Sequence, residues 1–260
     1  MPSSRKVLDR RAGAGYAASW MSEELSGDTT VTETEWLACT DPQKMLDFLR
    51  DKASDRKLRL FVCACCRHIW HKLTDKQSRR AVEVAERLAD GQADPAEVAV
   101  ARTEIEELRR GQEQQWSEEA QFSEAALLYG YMHQWPVILA ESAVAKDVTT
   151  ERVNLAGTLA PTDEAMRAEW AAQAALLRDI FGLLPFRPVT IPPSSLLWND
   201  GTVVTLAKSI YEDRAFDRLP ILADALEESG CHDPDILAHC RQPGEHVRGC
   251  WVVDLLTGRE

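Results

Sequence analysis

The chain has 260 residues and a mass of 29.1 kDa, which is enough for one large domain or two small ones with a sizeable core. Hydrophobic residues make up 45% of it and charged residues 28%, a balance that excludes a disordered chain, a collagen-like fibre and a disulfide-rich miniprotein. The net charge of −12 argues against a nucleic-acid or anionic-lipid partner. No apolar run approaches the roughly 20 residues that a membrane span needs, so we expect no membrane partner.

The N-terminus and the cysteines indicate the cellular compartment. Residues 1–6 are basic, but no apolar segment follows them, so they do not form a secretory signal. The chain has seven cysteines, an odd number, and the adjacent Cys65 and Cys66 are poor candidates for separate disulfides. We therefore predict a reduced set of buried thiols and a cytoplasmic location.

Residues 1–30 are predicted to be less well ordered than the helical domain over residues 31–182. The first thirty residues have weak periodicity and are interpreted as a loosely ordered extension, whose deletion should barely change the melting temperature. A helical domain follows: Thr32 with Glu35 fits a capping box, and Asp41 precedes a proline at the first helical position. The same kinds of signal predict helices over 41–49, 54–73, 75–91, 94–111 and 162–182.

The stretch 183–199 is predicted to be an extended connector, because its four prolines forbid a continuous helix. The C-terminal helical subdomain over 183–260 is expected to pack on the first domain, with helices over 201–211, 219–228, 233–240 and 250–256. The last helix is apolar on most sides, so Trp251 is predicted to be a buried anchor. Strand patterns are few, and the predicted fold class is all-α, a bundle or array of short, capped helices.

Two blocks of the chain carry a family resemblance. Residues 35–70 read EWLACTDPQKMLDFLRDKASDRKLRLFVCACCRHIW, and residues 186–260 contain WNDGTVV, AFDRLPILADALE and HVRGCWVVDLL. These phrases resemble a multi-copy family of uncharacterised bacterial proteins. The resemblance implies no catalytic residue. It implies that Glu35 lies near the usual start of the family, so that residues 1–30 depart from its pattern, as does His68, where the family carries arginine.

Cys63 is the first candidate for chemistry. Cys63 and Cys66 form a C-x-x-C motif, but more than two helical turns precede them, so the helix dipole cannot activate the thiol. Cys65 and Cys66 lie on the apolar stripe and are interpreted as core residues. Arg59 and Arg67 lie four residues on either side of Cys63, an arrangement that favours a thiolate and makes Cys63 a reactive-thiol candidate.

The second candidate is a group of histidines and cysteines near the C-terminus. Thiolate and imidazole ligands together suit zinc. Cys231 is set aside, because a helix should hold it more than about 10 Å from Cys240. The residues that remain are His239, Cys240, His246 and Cys250. The alternative interpretation is that Cys240 and Cys250 are core thiols and that His246 caps a helix or packs against the core. The absence of the recurrent zinc motif, two C-x-x-C turns, favours this alternative.

A third candidate is the loop formed by Trp198, Asn199 and Asp200, which joins an aromatic residue to a turn. It is a candidate ligand loop, or else a helix-start turn in which Asp200 caps the helix that begins at Thr202. Other templates, such as a nucleophile elbow, a Walker loop or a zinc-protease helix, are missing from the sequence.

These observations favour a non-catalytic role. The chain is predicted to be a helical protein-binding or adaptor module without a cofactor, and its acidic charge suits a protein partner with a basic face. A family in many copies suits partner recognition by paralogues, of which an immunity protein is one form. The alternative is a metal- or thiol-dependent enzyme that uses Cys63 or the group His239, Cys240, His246 and Cys250, with zinc as the cofactor.

Overall fold

The structure is a computed structural model that describes residues 31–119, 143 and 164–259. Every regular element in these ranges is a helix, which confirms the all-α prediction. Numbered in chain order over the described residues, the α-helices are α1 (Glu33–Ala38), α2 (Pro42–Phe48), α3 (Asp55–His68), α4 (Lys76–Ala89), α5 (Pro95–Glu119), α6 (Glu164–Phe181), α7 (Pro193–Leu197), α8 (Thr202–Asp213), α9 (Leu219–Glu228), α10 (Pro234–Arg241) and α11 (Trp251–Thr257). The predicted extension over 1–30 lies outside the described residues. None of the helices described combines the length and the apolar character that a bilayer crossing requires.

Side-chain caps confirm four of the predicted helix starts. Thr32 Oγ1 accepts a hydrogen bond from the backbone N–H of Glu35, and the Glu35 carboxylate accepts one from the backbone N–H of Thr32, which completes the capping box. Asp41, Ser54 and Asp75 cap α2, α3 and α4 by accepting from backbone N–H groups of the first turn. These side chains satisfy donors that have no partner within the helix, so the starts are fixed by local sequence.

Helix α3 lies in the core of the N-terminal part. It packs against α4 and α6, while α2 packs against α6 and α5 against α4. All residues from Lys57 to Cys66 are buried, so neighbours surround α3 on every side. The three clustered cysteines therefore lie in the protein interior.

The C-terminal helices α8 to α11 pack against one another. Helix α8 packs against α9 and α11, and α9 packs against α10. Helix α11 also contacts α6 and α10, and Trp251 at its start is only 2% exposed, which confirms the predicted buried anchor. The described residues from Thr32 onward belong to one compact unit. A boundary between two helical domains near 183 stays a prediction.

A buried charge network joins α3 to the C-terminal helices. Arg56 donates to Asp254 at 2.7 Å and to Asp90 at 3.2 Å, and the Tyr211 hydroxyl donates to Asp90 at 2.7 Å. Lys57 Nζ lies 3.4 Å from Asp254. Buried charges stabilise a fold only when hydrogen bonds and opposite charges surround them, as they do here. The network therefore fixes the position of α11 relative to α3.

Two helices and the connector differ from the prediction. Helix α3 ends at His68, and a 3-10 turn over Trp70–Lys72 replaces its predicted last turn, a common tightening at helix ends. Helix α5 continues through Gly111, because glycine weakens a helix without ending it. The connector 183–199 is not extended throughout, since Pro193–Leu197 forms α7 with proline at its first position.

Candidate metal centre

Four buried side chains that can ligate a metal meet where α6, α10 and the start of α11 come together. Asp179 lies on α6, His239 on α10, His246 in the segment between α10 and α11, and Cys250 at the N-cap of α11. Each side chain offers one ligand atom, and the four atoms all lie within 4.8 Å of one another. Contacts of α11 with α6 and with α10 hold the group together.

The distances within this four-residue group are close to those of a metal site. His239 Nε2 lies 3.2 Å from Cys250 Sγ and 3.2 Å from Asp179 Oδ1, and His246 Nδ1 lies 2.5 Å from the same carboxylate oxygen. Tetrahedral zinc, with bonds of about 2.0–2.3 Å, separates its ligand atoms by about 3.3–3.8 Å. For the four residues to enclose one ion, His246 and Asp179 would have to move apart by about 1 Å, and any pair near the 4.8 Å limit would have to approach by a similar amount.

The side chains of the group are largely shielded from solvent, although His246 also borders a cavity. The side chains of Asp179, His239 and His246 are 3%, 8% and 6% exposed, and Cys250 is fully buried. The His239 ring packs 4.9 Å from the ring of His246 and 5.2 Å from the ring of Trp251, measured between centroids. Four protein ligands in a buried setting are typical of structural zinc sites, whereas catalytic sites keep one position for water or substrate.

Hydrogen bonds within the group stabilise the ionised form of Asp179. Burial opposes ionisation of Asp179, but hydrogen bonds from His239 and His246 outweigh it and lower the pKa of that carboxyl. The backbone N–H of Val247 also donates to Asp179, at 2.9 Å. Burial, with the negative charge of Asp179, raises the pKa of the Cys250 thiol well above its usual value. A divalent cation would reverse this effect, because it stabilises the carboxylate and the thiolate together.

A polar contact of His239 fits a metal, whereas the second ring nitrogen of His246 does not bear on it. Gln242 Nε2 lies 3.1 Å from His239 Nδ1, and the reversed amide would accept the Nδ1 proton of a histidine that binds metal through Nε2. His246 Nε2 is buried and has no hydrogen-bond partner among the described residues. This nitrogen is on the opposite side of the ring from Nδ1, the atom that faces Asp179, so it is not a ligand atom of the group.

The fold brings together three of the four predicted histidine and cysteine ligands. His239, His246 and Cys250 come together, whereas Cys240 is buried outside the four-residue group, where burial raises the pKa of its thiol to about 12. Sequence reasoning missed Asp179. The signal that could have found it is an acidic residue on the apolar stripe of a helix, where only a partnered charge is tolerated.

Cys63, the predicted reactive thiol, lies in the core with 1% exposure. Burial raises the pKa of its thiol well above the usual value, and the negative charge of Glu86 raises it further. Arg67 donates to both carboxylate oxygens of Glu86, and Arg59 donates to the carbonyl of Ala143 at 2.5 Å. This environment disfavours the thiolate that the arginine spacing favours, and the reactivity of Cys63 stays a prediction.

The candidate ligand loop forms a 3-10 turn over Trp198–Gly201. Asn199 and Asp200 have left-handed backbone angles, with φ of 48° and 56°, and the carbonyl of Asn199 accepts from the Thr202 hydroxyl at 2.6 Å. The predicted cap by Asp200 is wrong, because the left-handed turn makes Gly201 the N-cap of α8, without a side-chain hydrogen bond. A ligand for this loop stays a prediction.

No family model, curated protein or solved structure matches this chain. The resemblance to a multi-copy bacterial family stays a prediction. The functional interpretation therefore depends on the geometry of the four-residue group and on the charge of the chain.

Proposed function

We propose that this protein is a zinc-binding helical module in which the metal is structural and which acts by binding another protein. The observation that carries the proposal is the convergence of Asp179, His239, His246 and Cys250, whose ligand atoms lie within 4.8 Å of one another in a buried setting. Because the group closes around an ion without an open position, it favours a structural role over the alternative of a metal-dependent enzyme.

The ligand chemistry selects zinc. One thiolate, two imidazoles and one carboxylate are the ligands that zinc combines in proteins. Calcium and magnesium prefer shells of oxygen atoms, and they would leave the thiol and the imidazoles unused. A single carboxylate from Asp179 does not suit either ion.

Zinc in this position would connect separate parts of the fold. Asp179 belongs to α6, while His239, His246 and Cys250 belong to α10, α11 and the segment between them. The free energy of metal binding adds to the free energy of folding when the unfolded chain has no preformed site. Removal of zinc should therefore loosen the packing of α10 and α11 on α6.

Charge and thiol chemistry support the partner-binding part of the proposal. The chain has a net charge of −12, which favours association with a basic protein surface. All seven cysteines are free thiols, which fits a reducing compartment such as the cytoplasm. A basic protein in the same compartment is the partner that we propose.

Metal analysis of matched cysteine variants tests the zinc site. The protein, purified without chelators and loaded with equimolar zinc, should contain about one zinc ion per chain by mass spectrometry of the elements. Cys250→Ser should lose most of this zinc. Cys240→Ser and Cys231→Ser are matched controls, because both residues are buried and neither belongs to the group, and they should keep it. Zinc loss in Cys240→Ser with retention in Cys250→Ser would contradict the assignment, as would a native protein that binds no zinc.

Salt dependence tests the proposed partner. A basic partner recovered with the purified protein should dissociate as the salt concentration rises, because ions screen attraction between exposed charges. A partner with an acidic face, or a complex indifferent to salt, would contradict this part of the proposal.

A further inference from the structure

A cavity of about 190 Å³ lies beside the cysteine-rich face of α3. It is large enough for about six water molecules, or for one compact organic molecule. Part of its wall is apolar, formed by Leu60, Ala64, Phe216 and Val247. A ligand for this cavity would therefore bury an apolar body against these side chains.

The charged wall of the cavity carries an excess of positive charge. Three arginines and two glutamates line it, which leaves a formal charge of +1 in a chain whose net charge is −12. Two of the arginines share one buried carboxylate: Arg67 donates to Glu86 at 2.9 and 3.0 Å, and Arg214 donates to the same carboxylate at 2.8 Å. The second glutamate, Glu245, lies 2.8 Å from His68.

Arg248 is the third arginine, and its guanidinium is the least engaged. It donates to the backbone carbonyl of Glu212 at 3.3 Å and lies over the ring of Tyr211 at 5.1 Å. Its Nε is buried without a hydrogen-bond partner, and no carboxylate pairs with it among the residues that the structure describes. A partly buried guanidinium gains most from a planar anion that accepts two parallel hydrogen bonds.

We propose that this cavity binds a small monocarboxylate with a compact apolar body. The carboxylate would pair with Arg248, and the body would pack against the wall that includes Leu60 and Phe216. The single negative charge of a monocarboxylate balances the formal charge of +1 on the cavity wall. A phosphate dianion would leave one of its two negative charges without a partner. The cavity borders His246 of the four-residue group but not Asp179, His239 or Cys250, and none of the contacts proposed for the carboxylate uses His246.

Three ring compounds of equal shape test the proposal by isothermal titration calorimetry on the full chain. Benzoate carries the carboxylate, benzamide is its neutral analogue, and benzamidine is its cationic analogue. Benzoate should bind at least about tenfold more tightly than benzamide, the effect of one charge-assisted hydrogen bond. Equal binding of benzoate and benzamide, preference for benzamidine, or no binding of benzoate at millimolar concentration would each overturn the proposal.

Arginine variants locate the binding site. Arg248→Gln should weaken benzoate binding about tenfold and leave benzamide binding unchanged. The matched control is Arg80→Gln, which removes an arginine that pairs with Glu104 on the surface and does not line the cavity. Equal loss in both variants, or none in Arg248→Gln, would overturn the assignment. Because the comparison of benzoate with benzamide uses the native protein, a folding defect in Arg248→Gln would not remove the test.

Discussion

Gly182→Ala should destabilise the protein more than the backbone conformation alone explains. Gly182 follows α6 with φ of +52°, and a Cβ atom there would lie 2.5 Å from Cδ1 of the Trp251 ring. An alanine held in the left-handed backbone region lowers the free energy of unfolding by about 1–2 kcal/mol. Overpacking of a buried ring adds about 1–3 kcal/mol. We expect a total loss of about 2–5 kcal/mol in the free energy of unfolding, measured by urea denaturation followed by circular dichroism.

Gly91→Ala is the matched control for this prediction. Gly91 has a similar φ of +68°, but a Cβ atom there would meet nothing within 4 Å. The control should lose only the backbone part, about 1–2 kcal/mol. In a Trp251→Ala background, the cost of Gly182→Ala should fall to the value of the control, because the clashing ring is gone. Equal losses in Gly182→Ala and Gly91→Ala in the native background would refute the reasoning.

Three further predictions concern buried groups. Trp251→Ala should lower the free energy of unfolding by about 3–5 kcal/mol in a denaturant titration; a variant that keeps its stability but loses a partner would instead place Trp251 in an interface. Burial opposes ionisation of Glu86, but hydrogen bonds from Arg214 and Arg67 outweigh it and lower its pKa below 4.5. The Glu86 carboxylate therefore contributes stability above pH 4.5, and this stability is lost as the pH falls through the lowered pKa. Glu86→Gln should reduce the loss of stability at acid pH, measured by urea unfolding at a series of pH values. An unchanged dependence of stability on pH in this variant would argue against the ion pair. A thiol-specific reagent should leave Cys63 unmodified until urea unfolds the chain, with the modified cysteines identified by peptide mass spectrometry. Rapid modification of Cys63 in the folded protein would instead support the reactive-thiol hypothesis.

Local chemistry made the helix starts predictable. Caps at Thr32, Asp41 and Ser54 involve residues two to three positions apart, so the sequence around each start is sufficient to predict it. The extension of α5 beyond Gly111 and the short helix Pro193–Leu197 were not predictable in this way. In the short helix, Ser195 is buried and donates a hydrogen bond to the carbonyl of Ser229 at 3.2 Å, a contact between distant segments that local preferences do not reveal.

The candidate metal site was predictable only in part, for two geometric reasons. Adjacent residues on a helix point about 100° apart, so His239 and Cys240 cannot both face the same group, and the sequence does not tell which one does. Asp179 lies on another helix, and its contact with His246 depends on how α6 packs against the C-terminal segment. The spacing that placed Arg67 near Cys63 was misleading for the same reason, since Glu86 on α4 pairs with that arginine.

X-ray absorption at the zinc edge tests the central claim most directly. With zinc held by Asp179, His239, His246 and Cys250, the spectrum should give one sulfur at about 2.3 Å and three nitrogen or oxygen atoms at about 2.0–2.1 Å. The sulfur should disappear in Cys250→Ser and persist in Cys240→Ser. A zinc shell of light atoms only in the native protein, or a sulfur that persists in Cys250→Ser, would contradict the account.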